Sequence, residues 1–422
     1  MNFRLEFLAL AYCCLCMMPQ STFANQKEDK IRLAGFINNV WQHAPQLAQA
    51  EFEYSAVLQK VNQLKRPRFN PELSLEYTHS EVNTRTLGMS QTIDWSGKQI
   101  SYAHQFDLEQ ERALLTIVYL RQTIALNTLK LLARYQLLQH QVQLSRTRSE
   151  LLSDLVTSAT QSMRAGDSHE LNLAQANVAQ NESLFDLTKL ESELLSTETQ
   201  LHNETLVDAK FWPSILSQDI NPDFESVTDD NLITLSQVKL AFLNWQLAKS
   251  KINVARANTK IDPTIGMRLG TEDNKLLFAV SYEMPLLIRN NYQAAVKEAN
   301  YTSLAAEKSY QHEIRKAKIS FISKQKQLAL LHHTYKTWNT SGFLAQQKQT
   351  KLLQHLQRTK ELNASDYYQQ AKQNLDVQIS ALELQKSVWM VFLDWLYASG
   401  QLDSWIGVNS SLSTTAIHGE QQ

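Results

Sequence analysis

Histidines and acids are the first place to look for chemistry in this 422-residue chain, and none stands at a catalytic spacing. His312-Glu313 begins like a zinc-protease helix, but that chemistry needs a second imidazole one turn later, where the chain has Lys316. His332 and His333 are neighbours on a helical stretch and point in different directions, which two ligands of one metal ion cannot do. No Gly-x-x-x-x-Gly-Lys loop is present to cradle phosphates, and no Gly-x-Ser-x-Gly elbow to expose a nucleophile. The sequence predicts no catalytic residue, no metal ligand, no cofactor, and a protein that is not an enzyme.

Charge and composition point elsewhere. With 41 basic and 42 acidic residues the formal charge is −1, so there is no basic field to attract nucleic acid. Only 10 glycines and 8 prolines interrupt a chain rich in Leu, Gln, Ala, Lys and Glu, a composition that predicts long helices.

The elements recur. Asn70-Pro71-Glu72-Leu73 answers to Asp262-Pro263-Thr264-Ile265, and Gly97-Lys98-Gln99 answers to Asn290-Asn291-Tyr292, at intervals of 192 and 193 residues. Ala165-Gly166-Asp167-Ser168 aligns with Leu362-Asn363-Ala364-Ser365 at an interval of 197, which reads as two copies separated by a four-residue insertion. Such an interval is far longer than a solenoid repeat and predicts two similar halves.

The chain opens with Arg4, an apolar run from Leu8 to Met18 and the small-residue end Thr22-Phe23-Ala24, the layout of a secretory signal peptide cleaved after Ala24. All three cysteines, Cys13, Cys14 and Cys16, lie in that segment, and their surroundings do not favour lipidation. A cysteine-free mature chain fits an oxidising envelope. No later apolar run reaches the roughly 20 residues of a membrane helix, so a membrane role would fall to strands.

Four segments alternate with a period of two. Leu73, Leu75 and Tyr77, then Leu87, Met89, Ile93 and Trp95, oppose Ser74, Glu76, Gly88, Ser90 and Asp94; Ile265, Met267 and Leu269, then Leu276, Phe278, Val280 and Tyr282, oppose Gly266, Arg268, Gly270, Ser281 and Glu283. Polar breaks at 79–85 and 271–275 make two hairpins. The same pattern serves a soluble sheet packed on helices or a membrane barrel; four strands cannot close a barrel alone, so a barrel would be shared between chains.

Between the strands, Lys98 to Met163 and Tyr292 to Thr359 lack proline and hold only Gly342, which predicts two continuous helices of roughly 100 Å each in a coiled-coil tube. Each ends at a turn where Gly166 or Asn363 takes the left-handed conformation and Asp167, Ser168 or Ser365 caps the returning helix. The returns run from Ser168 to Leu206 and from Ser365 to Leu402.

In this order the residues resemble the TolC-like outer-membrane efflux family over about residues 30–402. The carriers are Ser90-Gln91-Thr92-Ile93-Asp94-Trp95-Ser96-Gly97-Lys98, Arg164-Ala165-Gly166-Asp167-Ser168 and Met284-Pro285-Leu286-Leu287-Ile288-Arg289-Asn290-Asn291, the first and last being most similar to the heavy-metal branch typified by CzcC and CusC. The resemblance implies a mostly α, α+β fold: duplicated helical hairpins forming a periplasmic tube, and a twelve-stranded barrel shared by a homotrimer in the outer membrane. It implies a passive exit duct of a tripartite pump, partnered by a periplasmic adaptor and an inner-membrane transporter of the resistance-nodulation-division type, exporting heavy-metal cations, drugs or a secreted protein. Arg164, Gly166, Asp167, Ser168 and Glu170, with Glu361, Asn363, Ser365 and Asp366, would form the periplasmic turns that dock the adaptor. Asp167, Glu170 and Asp366 would ring the aperture, or else serve only as helix-start acids complementing the helix dipole. Glu72, Glu76, Asp94, Arg268 and Glu283 would line the barrel lumen. The resulting division is 1–24 signal, 25–206 first repeat, 207–232 linker with Trp212-Pro213 in a belt around the tube, 233–402 second repeat, and a polar, unstructured tail from 403 to 422. A soluble periplasmic coiled-coil scaffold is the alternative; an adaptor would need a β-rich domain that the duplication leaves no place for.

Overall fold

Proline and glycine punctuate the chain, and its elements run between them. The computed structural model describes residues 23–79, 81, 83–166, 170–216, 218, 220, 232–359 and 363–408. In order these are α1 (Phe23–His43), α2 (Pro45–Leu64), β1 (Glu72–Thr78), β2 (Thr84–Thr92), α3 (Lys98–Arg164), α4 (Glu170–Thr205), α5 (Ser236–Asn258), β3 (Thr264–Glu272), β4 (Lys275–Glu283), α6 (Gln293–Thr337), α7 (Phe343–Thr359), α8 (Ala364–Ala398) and α9 (Leu402–Ile406). The signal segment up to Thr22, most of the inter-repeat linker and the end of the tail lie outside the described residues.

α3 is 67 residues without proline or glycine and is one unbroken helix, about 100 Å long at ~1.5 Å per residue. Its counterpart is helical without a gap from Gln293 to Thr359, but a single π-helical turn, Trp338–Gly342, lies between α6 and α7. Gly342 explains the site of the π-turn: a Cβ there would come within 2.4 Å of the Trp338 ring, which folds over the bare backbone.

Gly166 closes α3 in the left-handed conformation whereas Asn363 stands extended before α8, so the two residues whose alignment predicts a four-residue insertion occupy different places in their turns.

The contacts divide the chain into two compact units. One gathers the described residues of 23–44, 121–220 and 319–408. Its core packs Trp389, Phe392 and Trp395 of α8 against Leu129 and Leu132 of α3, Leu33 and Ile37 of α1, and Ile406 of α9. Burying one such aromatic ring contributes roughly 2–3 kcal/mol. The chain from Ser404 to Val408, expected to be unstructured tail, belongs to this core: Leu402, Ile406 and Val408 are buried, and Trp405 meets Phe392 edge-on at 5.8 Å. A five-residue helix with two apolar anchors is too short for a periodic pattern to announce it.

The other unit gathers the described residues of 45–120 and 232–318. It holds the one sheet among the described residues, antiparallel throughout in the order β1-β2-β3-β4, together with α2, α5 and the adjoining ends of α3 and α6. Both predicted hairpins form where the alternation placed them.

Candidate functional site

The sheet register sorts its side chains cleanly. Leu73, Met89, Met267 and Val280 form one cross-strand row, and Leu75, Leu87, Leu269 and Phe278 the next, all on one face. That face is bare: Leu75 is 80% and Phe278 66% exposed. A contiguous apolar face of this kind marks a surface made for lipid or another protein. Aromatic rings stand near both of its ends, Tyr77 in the row of Arg85 and Tyr282 in the row of Gln91, six residues or ~20 Å apart along β2.

The opposite face is polar and crowded. Ser74, Gly88, Arg268 and Ala279 share a row, as do Ser90, Gly266 and Ser281. A Cβ on Gly266 would lie 2.5 Å from Ser281 Oγ, and one on Gly270 only 1.9 Å from the Arg85 carbonyl oxygen. Glycine is required because neighbouring strands close in on this side, as they do on the inside of a curved sheet. Glu72, Glu76, Arg268 and Glu283 occupy this face by register, and Arg268 Nη1 donates to Glu76 Oε2 at 3.1 Å. The pattern also puts Thr86, Glu272 and Lys275 there, residues that alternation could have supplied but the sequence reading left out.

Asp94 belongs to a different device. It follows β2, and its carboxylate accepts from the backbone amides of Lys98 at 2.9 Å and Gln99 at 2.8 Å, capping α3. Its reading as a residue of the wet strand face is corrected. The polar end of the alternation, Ser90 to Asp94, hides this change from strand to cap. Beside it, Asp262 takes a 2.7 Å ion pair from Lys98 Nζ and a 2.8 Å hydrogen bond from Ser96 Oγ. Burial pushes the Asp262 carboxyl up, but the Lys98 and Ser96 hydrogen bonds outweigh it and hold the group below its usual range. The start of α3 is thus tied to the entry of β3. Nothing in the spacing announced that pair.

The two turns differ. Gly166 ends α3 with φ +79°, the left-handed conformation predicted for it, between exposed Arg164 and Glu170, the first residue of α4. Asp167 and Ser168, like Glu361 in the second turn, lie outside the described residues. Asn363 is extended, with φ −69° and ψ 158°, and does not end a helix. It begins one: its Oδ1 accepts from Asp366 N at 2.8 Å, and its Nδ2 donates to Asp366 Oδ2 at 2.7 Å. This reciprocal cap displaces Ser365, which sits inside the first turn of α8, from the capping role expected of it. Asp366 is therefore a helix-start acid engaged with the cap. Just above, burial first and the Asp154 charge second raise the Tyr367 and Tyr368 hydroxyls above their ordinary range.

Ion pairs knit the first hairpin. Arg146 binds Glu191 at 2.7 Å, Arg134 binds Glu193 at 2.9 Å, and Arg148, only 11% exposed, binds both Asp186 of α4 at 2.7 Å and Asp376 of α8 at 2.9 Å. The second hairpin combines an ion pair, Lys324 of α6 to Asp394 of α8 at 2.8 Å, with neutral contacts: Asn374 of α8 accepts from Gln346 at 2.9 Å and from Thr350 at 3.3 Å.

No protein-family model and no curated protein matches the sequence. Solved structures do. The Campylobacter jejuni CmeC outer membrane channel superposes with a TM-score of 0.72 at 13% identity, covering 91% of this chain and 88% of its own. The outer membrane protein VceC of Vibrio cholerae gives 0.67 at 16% identity over 88% and 96%. CusC, solved in a study of transmembrane channel formation, gives 0.65 at 15% identity over 90% and 92%. The fold is that of the TolC-like channel proteins. CusC is matched no better than CmeC, so the likeness singles out no branch.

Proposed function

We propose that this chain is the outer-membrane exit duct of a tripartite efflux pump, a passive channel that catalyses no reaction. The carrying observation is the sheet: four antiparallel strands with an unpaired edge on β1 and on β4, an exposed apolar face, and a polar face crowded by glycines. In lipid an open strand edge is not tolerated, so β4 of one copy must pair with β1 of the next. With an even number of strands that junction is antiparallel like the rest. Three copies give twelve strands, above the practical minimum of about eight for a barrel. The fold shared with CmeC and VceC supports the same reading.

In this reading the apolar face meets the outer membrane, and Glu72, Glu76, Arg268 and Glu283 face the lumen. The helical hairpins reach through the periplasm. Their turns, with Arg164, Gly166, Glu170, Asn363, Ser365 and Asp366 and the flanking Asp167, Ser168 and Glu361, meet a periplasmic adaptor that links the duct to an inner-membrane transporter. Cargo is chosen by that transporter. Heavy-metal cations are the candidate cargo suggested by the stretch from Ser90 to Lys98.

Fractionation of cells expressing the full chain tests the reading. The duct is expected in the outer-membrane fraction, resisting carbonate washing and requiring detergent. Release into the periplasmic fraction without detergent would overturn it in favour of a soluble scaffold.

A further inference from the structure

The two ends of the sheet carry different charge. At the hairpin-turn end the described residues hold Glu81, Glu272 and Asp273 against Arg85 and Lys275, a mixture with an excess of acid. At the other end, where the chain passes from strands to helices, the link from α2 to β1 reads Lys65-Arg66-Pro67-Arg68-Phe69-Asn70, three bases and no acid. Lys65, Arg66 and Arg68 are all exposed, and among the described residues no ion pair joins them to a carboxylate. The acids at this end are engaged elsewhere. Asp94 accepts from the α3 amides, Asp262 is held by Lys98, and Glu72 and Glu283 stand on the polar face of the sheet.

The link is fixed in place although its charges are free. Gln99 Nε2 donates to the Leu64 carbonyl at 2.6 Å and to the Arg66 carbonyl at 3.1 Å, and Gln91 Nε2 donates to the Phe69 carbonyl at 3.0 Å. The Arg68 guanidinium lies over the rings of Phe69 and Tyr102, at 5.4 and 5.1 Å. Gln91 shares its row with Ile265 and Tyr282, the last row of the apolar face, so the cations are held at the border of that face.

Bare apolar side chains continue past the same border. Trp95, after β2, is 73% exposed, and Leu286 and Ile288, after β4, are 68% and 82% exposed. An exposed indole beside free cations, at the end of an apolar face about as tall as a bilayer core, is the arrangement of a membrane–water boundary. A phosphodiester fits it: guanidinium groups bind phosphate oxygens in pairs, their stems lie along apolar surface, and each cation near an anionic membrane adds about fivefold to binding.

We infer that Lys65, Arg66 and Arg68 bind the phosphate of an anionic phospholipid in the periplasm-facing leaflet, whose acyl chains lie on the apolar face. The inference rests on the duct proposed above, in which the helix-bearing end of the sheet faces the periplasm.

Native mass spectrometry of the detergent-extracted, full-length protein tests it, with dioleoyl phosphatidylglycerol and dioleoyl phosphatidylcholine supplied in equal amounts. The parent is expected to retain the glycerol lipid at least about fivefold over the choline lipid. Lys65→Gln/Arg66→Gln is expected to bring that ratio close to one in a particle of unchanged size. Lys308→Gln/Arg315→Gln, which removes as much charge from α6 far from the sheet, is expected to leave it unchanged. In the parent alone, raising ammonium acetate from about 0.1 to about 1 M is expected to erase most of the preference. A ring-sized particle that holds both lipids equally, a preference that survives in the link variant, or one indifferent to salt overturns the headgroup site and leaves the duct standing. A chain that needs no detergent overturns the duct itself.

Discussion

The two helical hairpins descend from one pattern yet are held together by different chemistry. The first has an unbroken 67-residue helix, a glycine-closed turn and a ladder of arginine–carboxylate pairs. The second has a π-turn in its first arm, an asparagine cap, a network of neutral amides and the Lys324–Asp394 ion pair. Duplication preserved the order of the elements, two strands followed by a long helical arm and its return. It did not preserve the polar contacts between the arms, which can be replaced one helix at a time. The difference teaches that ion pairs carry more of the contact between the arms of the first hairpin, while the second sets neutral amides beside the Lys324–Asp394 pair.

Arg148 is the point at which the comparison breaks most sharply, since it ties α3 to both α4 and α8. Arg148→Met is expected to cost about 2 kcal/mol, less than a fully buried pair because Asp186 is half exposed. Thermal unfolding monitored by circular dichroism checks it, and an unchanged midpoint would mean the ladder is ornamental.

At the π-turn, Gly342→Val drives a side chain into the Trp338 ring and is expected to cost about 1–3 kcal/mol. The readout is faster hydrogen exchange in peptides spanning 330–350, with peptides of α3 unaffected. Equal protection in variant and parent would show that the ring moves aside freely.

Asn374→Leu removes the amide centre of the second hairpin while keeping its volume, and about 1 kcal/mol is expected. Raising salt from 0.1 to 1 M is expected to loosen peptides of α4 more than those of α7, because screening weakens ion pairs and leaves the amide contacts of α7 with Asn374 in place.

The acid response has a definite sign. Burial alone would push the Asp376 carboxyl up, but hydrogen bonds from Arg148 and Lys372 hold it below its ordinary value. A depressed carboxylate contributes its full stability above the unfolded value of ~3.9 and loses it as pH falls through the lower folded value. Stability is therefore expected to drop as acid titrates this group below pH ~4, and Asp376→Asn is expected to flatten that slope.

Much of the fold was legible in the sequence, because strand alternation and the absence of Pro and Gly act locally. The four strands, both strand hairpins, α3 and the left-handed Gly166 all follow from such signals. Contacts between elements distant in the chain were not legible: Lys98 meets Asp262 across 164 residues, and Arg148 meets Asp376 across 228. Asn363 misled because asparagine serves both to end a helix and to begin one, and only the backbone angle decides. Asp94 misled because a strand residue and a helix cap look alike when the next turn is only four residues away.

The central claim is that the open sheet closes between copies in a membrane. Native mass spectrometry of the detergent-extracted, full-length protein tests it most directly. A particle of three chains, dissociating to monomers only when heated in denaturing detergent, is the predicted result. A stable monomer that needs no detergent, with its apolar sheet face covered by some other part of the chain, would contradict the account.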